Sequence, residues 1–184
     1  MQTRHDLSCG YYFQQNSGDV RSRGLELETR IQATAALHLG FSASYTDAVA
    51  NGPIRNLDAP NGARVPYFPR AIATLDATYA IPLPSGSLLL QADDEFHSRE
   101  GTEFDTTGTL FRQLPSTRVL NAAGTWILGN TEWTLFARNL TNTPILSAIH
   151  ANGYAPFQPG DIVYLQRPRT LGLKVKVSFG PSAR

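Results

Sequence analysis

The sequence has 184 residues and a mass of 20.1 kDa, the size of one domain or of part of a larger one. Its 16 Lys+Arg nearly balance 15 Asp+Glu, a net charge of +1 that argues against a nucleic-acid partner with its usual demand for a basic surplus. Charged residues are only 17%, and the longest hydrophobic run is four residues, Ile162 to Leu165, which excludes a membrane-spanning helix of about 20 residues.

The opening residues, Met1 to Asp6, lead into no apolar stretch of the signal-peptide kind. Export would need a signal encoded elsewhere. Cys9 is the single cysteine, which rules out an internal disulfide and a Cys-based metal cage and leaves an inert thiol. Tyr11 to Gln15 reads as the end of one strand, followed by the turn residues Asn16-Ser17-Gly18-Asp19.

From there the chain alternates with period two, and side chains on a strand point alternately to opposite faces. Leu25, Leu27, Thr29 and Ile31 oppose Glu26, Glu28 and Arg30. Leu37, Leu39, Phe41, Ala43 and Tyr45 oppose His38, Gly40, Ser42 and Ser44. Ala73, Leu75, Ala77 and Tyr79 oppose Thr74, Asp76 and Thr78. Residues 87–98 follow more loosely, because Asp94 falls in the apolar register of Leu88, Leu90, Ala92 and Phe96. Leu120, Ala122, Gly124 and Trp126 form the next apolar row, then Trp133, Leu135 and Ala137. The last strand is cleanest: Leu171, Leu173, Val175, Val177 and Phe179 on one face, Lys174 and Lys176 on the other. No segment carries a capped 3.6-residue stripe.

Short turns near 32–36, 82–86 and 129–130 alternate with long loops near 48–66, 100–115 and 141–166. An up-and-down membrane barrel has this asymmetry, with short turns on one side and long loops on the other, and the short turn Asn16-Ser17-Gly18-Asp19 on the long-loop side is the one exception. Strands of about 9–13 residues fit a tilted bilayer crossing better than the typical globular strand of about 5–6. Tyr79, Trp126, Trp133 and Phe179 cluster at the short-turn ends, Tyr45, Phe68 and Phe96 at the long-loop ends, as two aromatic girdles would. The alternatives are a soluble carbohydrate-binding β-sandwich, whose apolar face would be core, and a self-standing eight-strand barrel with a structural or adhesion role.

Several stretches resemble the C-terminal barrel half of TonB-dependent outer-membrane receptors. They are Gln15-Asn16-Ser17-Gly18-Asp19-Val20-Arg21-Ser22-Arg23-Gly24-Leu25-Glu26-Leu27-Glu28; Ser44-Tyr45-Thr46-Asp47-Ala48; and Val65-Pro66-Tyr67-Phe68-Pro69-Arg70. Trp133 to Asn142, ending Arg138-Asn139-Leu140-Thr141-Asn142, and the closing run from Arg167-Pro168-Arg169 to Phe179 complete the series. The resemblance covers residues 11–179. It implies an all-β fold: an antiparallel up-and-down transmembrane β-barrel segment of seven to eight long strands from a larger barrel of about 22 strands.

On that reading residues 1–184 are one domain, the C-terminal portion of the barrel, with the plug and N-terminal strands absent and 180–184 a short tail. The tail departs from the family, whose members end close to their terminal aromatic residue, here Phe179, the signature read by the barrel-assembly machinery. Function would be energy-coupled uptake of a scarce nutrient (a siderophore, cobalamin or a glycan) at the outer membrane of a Gram-negative bacterium. Its partners would be outer-membrane lipid, the plug and remaining strands, and TonB only through the plug. No nucleic acid, catalysis or cofactor is implied. His150, Tyr154 and Phe157 on the longest loop are the candidate ligand contacts. Glu26, Glu28, Arg30, Lys174 and Lys176 would face the lumen and plug. Asp93, Glu95 and His97 share that face and read as a wet inner wall rather than a catalytic or metal site.

Overall fold

The computed structural model describes residues 2–6, 11–54, 57, 59–150 and 160–179. Thirteen strands run in chain order: β1 (Gln2–Asp6), β2 (Tyr12–Asn16), β3 (Val20–Gln32), β4 (Leu37–Ala50), β5 (Ala71–Leu83), β6 (Gly86–His97) and β7 (Glu100–Gly101). They continue as β8 (Gln113–Leu114), β9 (Thr117–Leu128), β10 (Thr131–Arg138), β11 (Leu146–His150), β12 (Ile162–Leu165) and β13 (Thr170–Val177). No α-helix occurs among the described residues.

Seven of these strands make one antiparallel wall in the order β3-β4-β5-β6-β9-β10-β13, each long strand beside its predecessor. The register carries the sequence alternation across the whole sheet. Ile31, Leu39, Ala77, Ala92, Ala122, Ala137 and Leu171 stand opposite one another in turn and form an apolar row through all seven strands. One residue along lies the row Gln32, His38, Thr78, Gln91, Ala123, Phe136 and Gly172 on the opposite face. A slip of one residue would exchange the two faces, so the pattern pins the register.

The apolar face is uncovered. Leu25 is 79% exposed, Leu135 66% and Leu171 69%, so the wall is a single layer and not one half of a sandwich. The wall also does not close on itself, because β3 and β13 are its two edges and are not paired with each other. The strand expected near Tyr11 to Gln15 is present as β2, but its backbone groups pair with β1, from Gln2 opposite Asn16 to Asp6 opposite Tyr12. It therefore forms a separate hairpin instead of extending the wall beside β3. Cys9 and the tail 180–184 lie outside the described residues.

The three short turns are built for tightness. Pro84-Ser85 joins β5 to β6 with Gly86 at φ +105°, and Gly129-Asn130 joins β9 to β10 with Gly129 at φ +57°, a conformation only glycine adopts readily. Between β3 and β4, the Thr34 hydroxyl accepts from the Ala36 and Leu37 amides at 3.2 and 3.0 Å. All three lie at one rim, and the long loops lie at the other. The buried apolar cluster sits at the long-loop rim, where Ala50 at the end of β4 meets Ile54, Ala59 and Phe104 of the loops, with Leu57, Ala63 and Val65 against it.

Candidate functional site

Three long loops rise from one rim and fold onto one another as a cap. In the first, residues 59–65 run beside the end of β4, with the Ala50 amide donating to Ala63 at 2.8 Å and Val65 to Ala48 at 3.1 Å. Tyr67 then ties it to both other loops. Its amide donates to the Gly101 carbonyl of β7 at 2.8 Å, and its hydroxyl donates to the Ile149 carbonyl of β11 at 2.9 Å. Tyr67 has φ +54°, an uncommon state for a bulky residue, and these two bonds hold it there.

The second and third loops are joined by an ion pair that period-two reading does not reveal. Arg112 Nε donates to Asp161 Oδ2 at 2.7 Å and its NH2 to Oδ1 at 3.2 Å, with both side chains 3% exposed. The same guanidinium donates to the Thr109 and Phe111 carbonyls at 2.8 and 2.9 Å. Burial of a charge is costly unless it is paired and hydrogen-bonded, and this one is both. Thr102 seats the arginine backbone, accepting the Arg112 amide at 2.9 Å on its hydroxyl.

Among the described residues, two recesses stand out in the cap. One, of about 360 Å³, lies between the first two loops and is lined by Arg64, Arg70, Arg99, Glu100, Glu103 and Phe111 among others. The other, of about 200 Å³, reaches the wall's polar face at Glu95 and His97 and is also lined by Glu100, Leu114, Ile145 and Leu146. Burial pushes the Glu100 carboxyl up, with the His97 charge pulling back. Burial likewise raises Glu103, opposed by His150. His150 thus stands at the end of β11, exposed, with its charge felt by Glu103. Tyr154 and Phe157 lie outside the described residues.

On the polar face Asp93, Glu95 and His97 do share one side of β6, as their spacing predicts. His97 Nε2 and Glu95 Oε1 are 2.6 Å apart, and Asn121 Nδ2 donates to Asp93 at 2.7 Å. Among the described residues no set of three His, Cys, Asp or Glu side chains is placed to hold a metal ion. Glu26, Glu28 and Arg30 occupy the same face of β3, opposite Ser44, Ser42 and Gly40, with Arg30 and Glu28 paired at 3.2 Å. Lys174 and Lys176 stand opposite Thr134 and Glu132, and Lys176 Nζ meets Glu132 at 2.8 Å. The two groups sit on opposite edges of the wall, so the structure does not bring them together. Phe136 projects onto this face over Gly172, where any larger residue would collide with its ring. Phe179, past β13, is 92% exposed.

Asp94, the residue that broke the apolar register, is paired with Arg118 of the next strand. Arg118 stands opposite Phe96 and so shares the apolar face. The sequence does contain this partner, but 24 residues away, where a strand-by-strand reading does not connect the two.

The chain is similar in structure to the ferric yersiniabactin uptake receptor FyuA from Yersinia pestis, with TM-score 0.76 and 16% identity over 91% of this chain and 25% of that one. It is similar to BauA, the ferric preacinetobactin receptor from Acinetobacter baumannii, with TM-score 0.67 and 19% identity over 95% of this chain and 25% of that one. It is also similar to the ferric-catecholate import receptor Fiu from K12 E. coli, with TM-score 0.68 and 20% identity over 96% of this chain and 23% of that one. This chain therefore spans about a quarter of the length of these structures. A search of curated protein sequences finds no match. The profile of the TonB dependent receptor-like beta-barrel family matches residues 2–142, and the chain belongs to that family.

Proposed function

We propose that this chain is part of the barrel wall of an outer-membrane receptor that takes up a ferric siderophore in a Gram-negative bacterium. The observation that carries the reading is the single-layer wall with its loops gathered at one rim, a fold shared along more than nine-tenths of the chain with three ferric-siderophore receptors. The remaining strands would satisfy the two open edges, since unpaired strand amides cannot be left in hydrocarbon. Energy would enter through a plug and its contact with TonB, outside these residues. Glu26, Glu28, Arg30, Lys174 and Lys176 would line the lumen opposite that plug. The cap would supply ligand contacts, with His150, Tyr154 and Phe157 in that role, and Phe179 would present the chain to the barrel-assembly machinery. No catalytic step and no resident cofactor belong to this reading.

The test is uptake of labelled iron by a strain lacking the gene and complemented with the full-length protein, offered ferric catecholate, phenolate and hydroxamate chelates. One chelate class should accumulate, and its binding should weaken by about tenfold (~1.4 kcal/mol) in His150→Ala with folding unchanged. Accumulation of cobalamin or a glycan instead would overturn the siderophore assignment. A folded receptor that accumulates nothing would overturn the uptake reading.

A further inference from the structure

Given the barrel reading of the chain, and whatever its cargo, we infer that the free edge of β12 receives an extended apolar segment of the same receptor, from the loop above the strand that pairs with β13. The pairs β10–β13 and β11–β12 are one interrupted hairpin. The wall pairing ends with Arg138 opposite Thr170, and β11–β12 begins with Leu146 opposite Leu165. Between them the two chains stay tied, the Arg169 amide donating to Asn142 Oδ1 and the Gln166 amide to the Ile145 carbonyl, both at 2.9 Å. β11 therefore continues above β10, and β12 above β13. β10 covers one side of β13 and leaves the other as the wall's open edge. The side of β12 away from β11 is the upward continuation of that edge.

Backbone direction shows what the edge offers. The Gln166 amide points to the β11 side, and the Tyr164 carbonyl accepts from Ser147 Oγ of β11 at 3.1 Å. A strand residue turns its N–H and C=O to one side, and its neighbours turn theirs to the other. Tyr164 therefore bonds inward, while Val163 and Leu165 turn both groups outward. β12 pairs with β11 and with no other described strand. From the far side β11 is held by the Tyr67 hydroxyl on the Ile149 carbonyl, which leaves β12 outermost.

The side chains are as uncovered as the backbone. Ile162, Val163, Tyr164 and Leu165 are 52, 41, 54 and 63% exposed, and they are the longest hydrophobic run of the sequence. An edge left to water is ordinarily blunted by Lys, Pro or a bulge. β12 carries no Lys or Pro, and the one register shift of the pair falls on β11, between Leu146 and Ala148. An added strand bonds through its main chain and sets alternate side chains on the two faces, so the edge fits an extended run of β-branched and apolar residues. Continuity selects its source. The strand that satisfies β13 in hydrocarbon brings its own loop directly beside β12.

The test uses the full-length receptor in nanodiscs, with hydrogen exchange read residue by residue by fragmentation mass spectrometry. The Val163 and Leu165 amides should exchange at least about tenfold more slowly than free peptide, the factor that one net hydrogen bond supplies. Exchange at the free-peptide rate would overturn the proposal. p-Benzoylphenylalanine in place of Tyr164 then captures the neighbour on illumination. The expected crosslink joins it to a peptide of the same polypeptide outside these 184 residues. A crosslink only to a second copy, to lipid, or to a segment within these residues would also overturn the proposal. If the photoreactive variant does not fold, exchange in the wild type decides the matter alone. Heat-modifiable gel mobility separates the two readings: a protein that lacks it fails as a barrel, while a heat-modifiable barrel with fast exchange at Val163 and Leu165 fails only here.

Discussion

Arg112 shows what a single residue does in the cap. Its side chain is buried against Asp161 and two carbonyls, so it joins two loops 49 residues apart in sequence. Truncation leaves a buried carboxylate without its cation, a change that costs about 3–5 kcal/mol. Arg112→Ala in the full-length protein should therefore lose amide exchange protection across β7–β8 and β11–β12 together. The apolar pair Arg112→Met/Asp161→Leu should recover most of it, because a well-packed apolar replacement costs little. Unchanged protection in the alanine variant would show that the pair does not hold the cap. This part of the site was not legible in the sequence. Alternation reports which face a strand residue takes, but an arginine in an irregular loop has no periodic neighbour to betray its partner. Asp94 was partly legible: its misfit in the apolar register was visible, and Arg118 as its counterion was not.

At the scale of the element, the wall was legible strand by strand. All seven long strands, the three tight turns and the three long loops stand where period two and the turn residues place them. The miniature hairpins β7–β8 and β11–β12 were not, because strands of two to five residues are shorter than the window in which alternation can be recognised. The pairing of β2 with β1 escaped for the same reason. Within the wall, glycines separate into two kinds. A Cβ at Gly24 would press on the Tyr45 carbonyl of β4, a backbone atom that cannot move aside, whereas a Cβ at Gly124 would touch only Leu90 Cδ2 at 3.5 Å. Gly24→Ala should destabilise the folded barrel by about 1–3 kcal/mol, the usual cost of overpacking, and Gly124→Ala should be neutral. Urea unfolding of the full-length protein in lipid vesicles measures both. Equal behaviour of the two variants would refute the distinction.

For the whole molecule, the decisive feature is a sheet whose large apolar side chains are exposed along one entire face. In water such a face is an aggregation hazard, and in hydrocarbon it is the required surface. The two faces should then answer oppositely to charge. Leu135→Arg puts a cation toward lipid and should cost about 2–4 kcal/mol if it lies near the bilayer midplane. Thr134→Arg, one residue away on the polar face beside Lys174, should cost far less. Folding free energies into vesicles compare them, and equal costs would mean that the apolar face does not meet lipid.

Tyr67, Arg112 and Asp161 leave the three loops without independence. Surface loops are normally where related sequences drift freely, since insertions there disturb little. Here a change in one loop alters the seat of another, so the three can be inherited or transplanted only as a cassette. A chimera that swaps one loop should be left with broken ties, while one that swaps all three keeps them intact. Whatever selectivity resides above this wall is therefore acquired in blocks and not residue by residue.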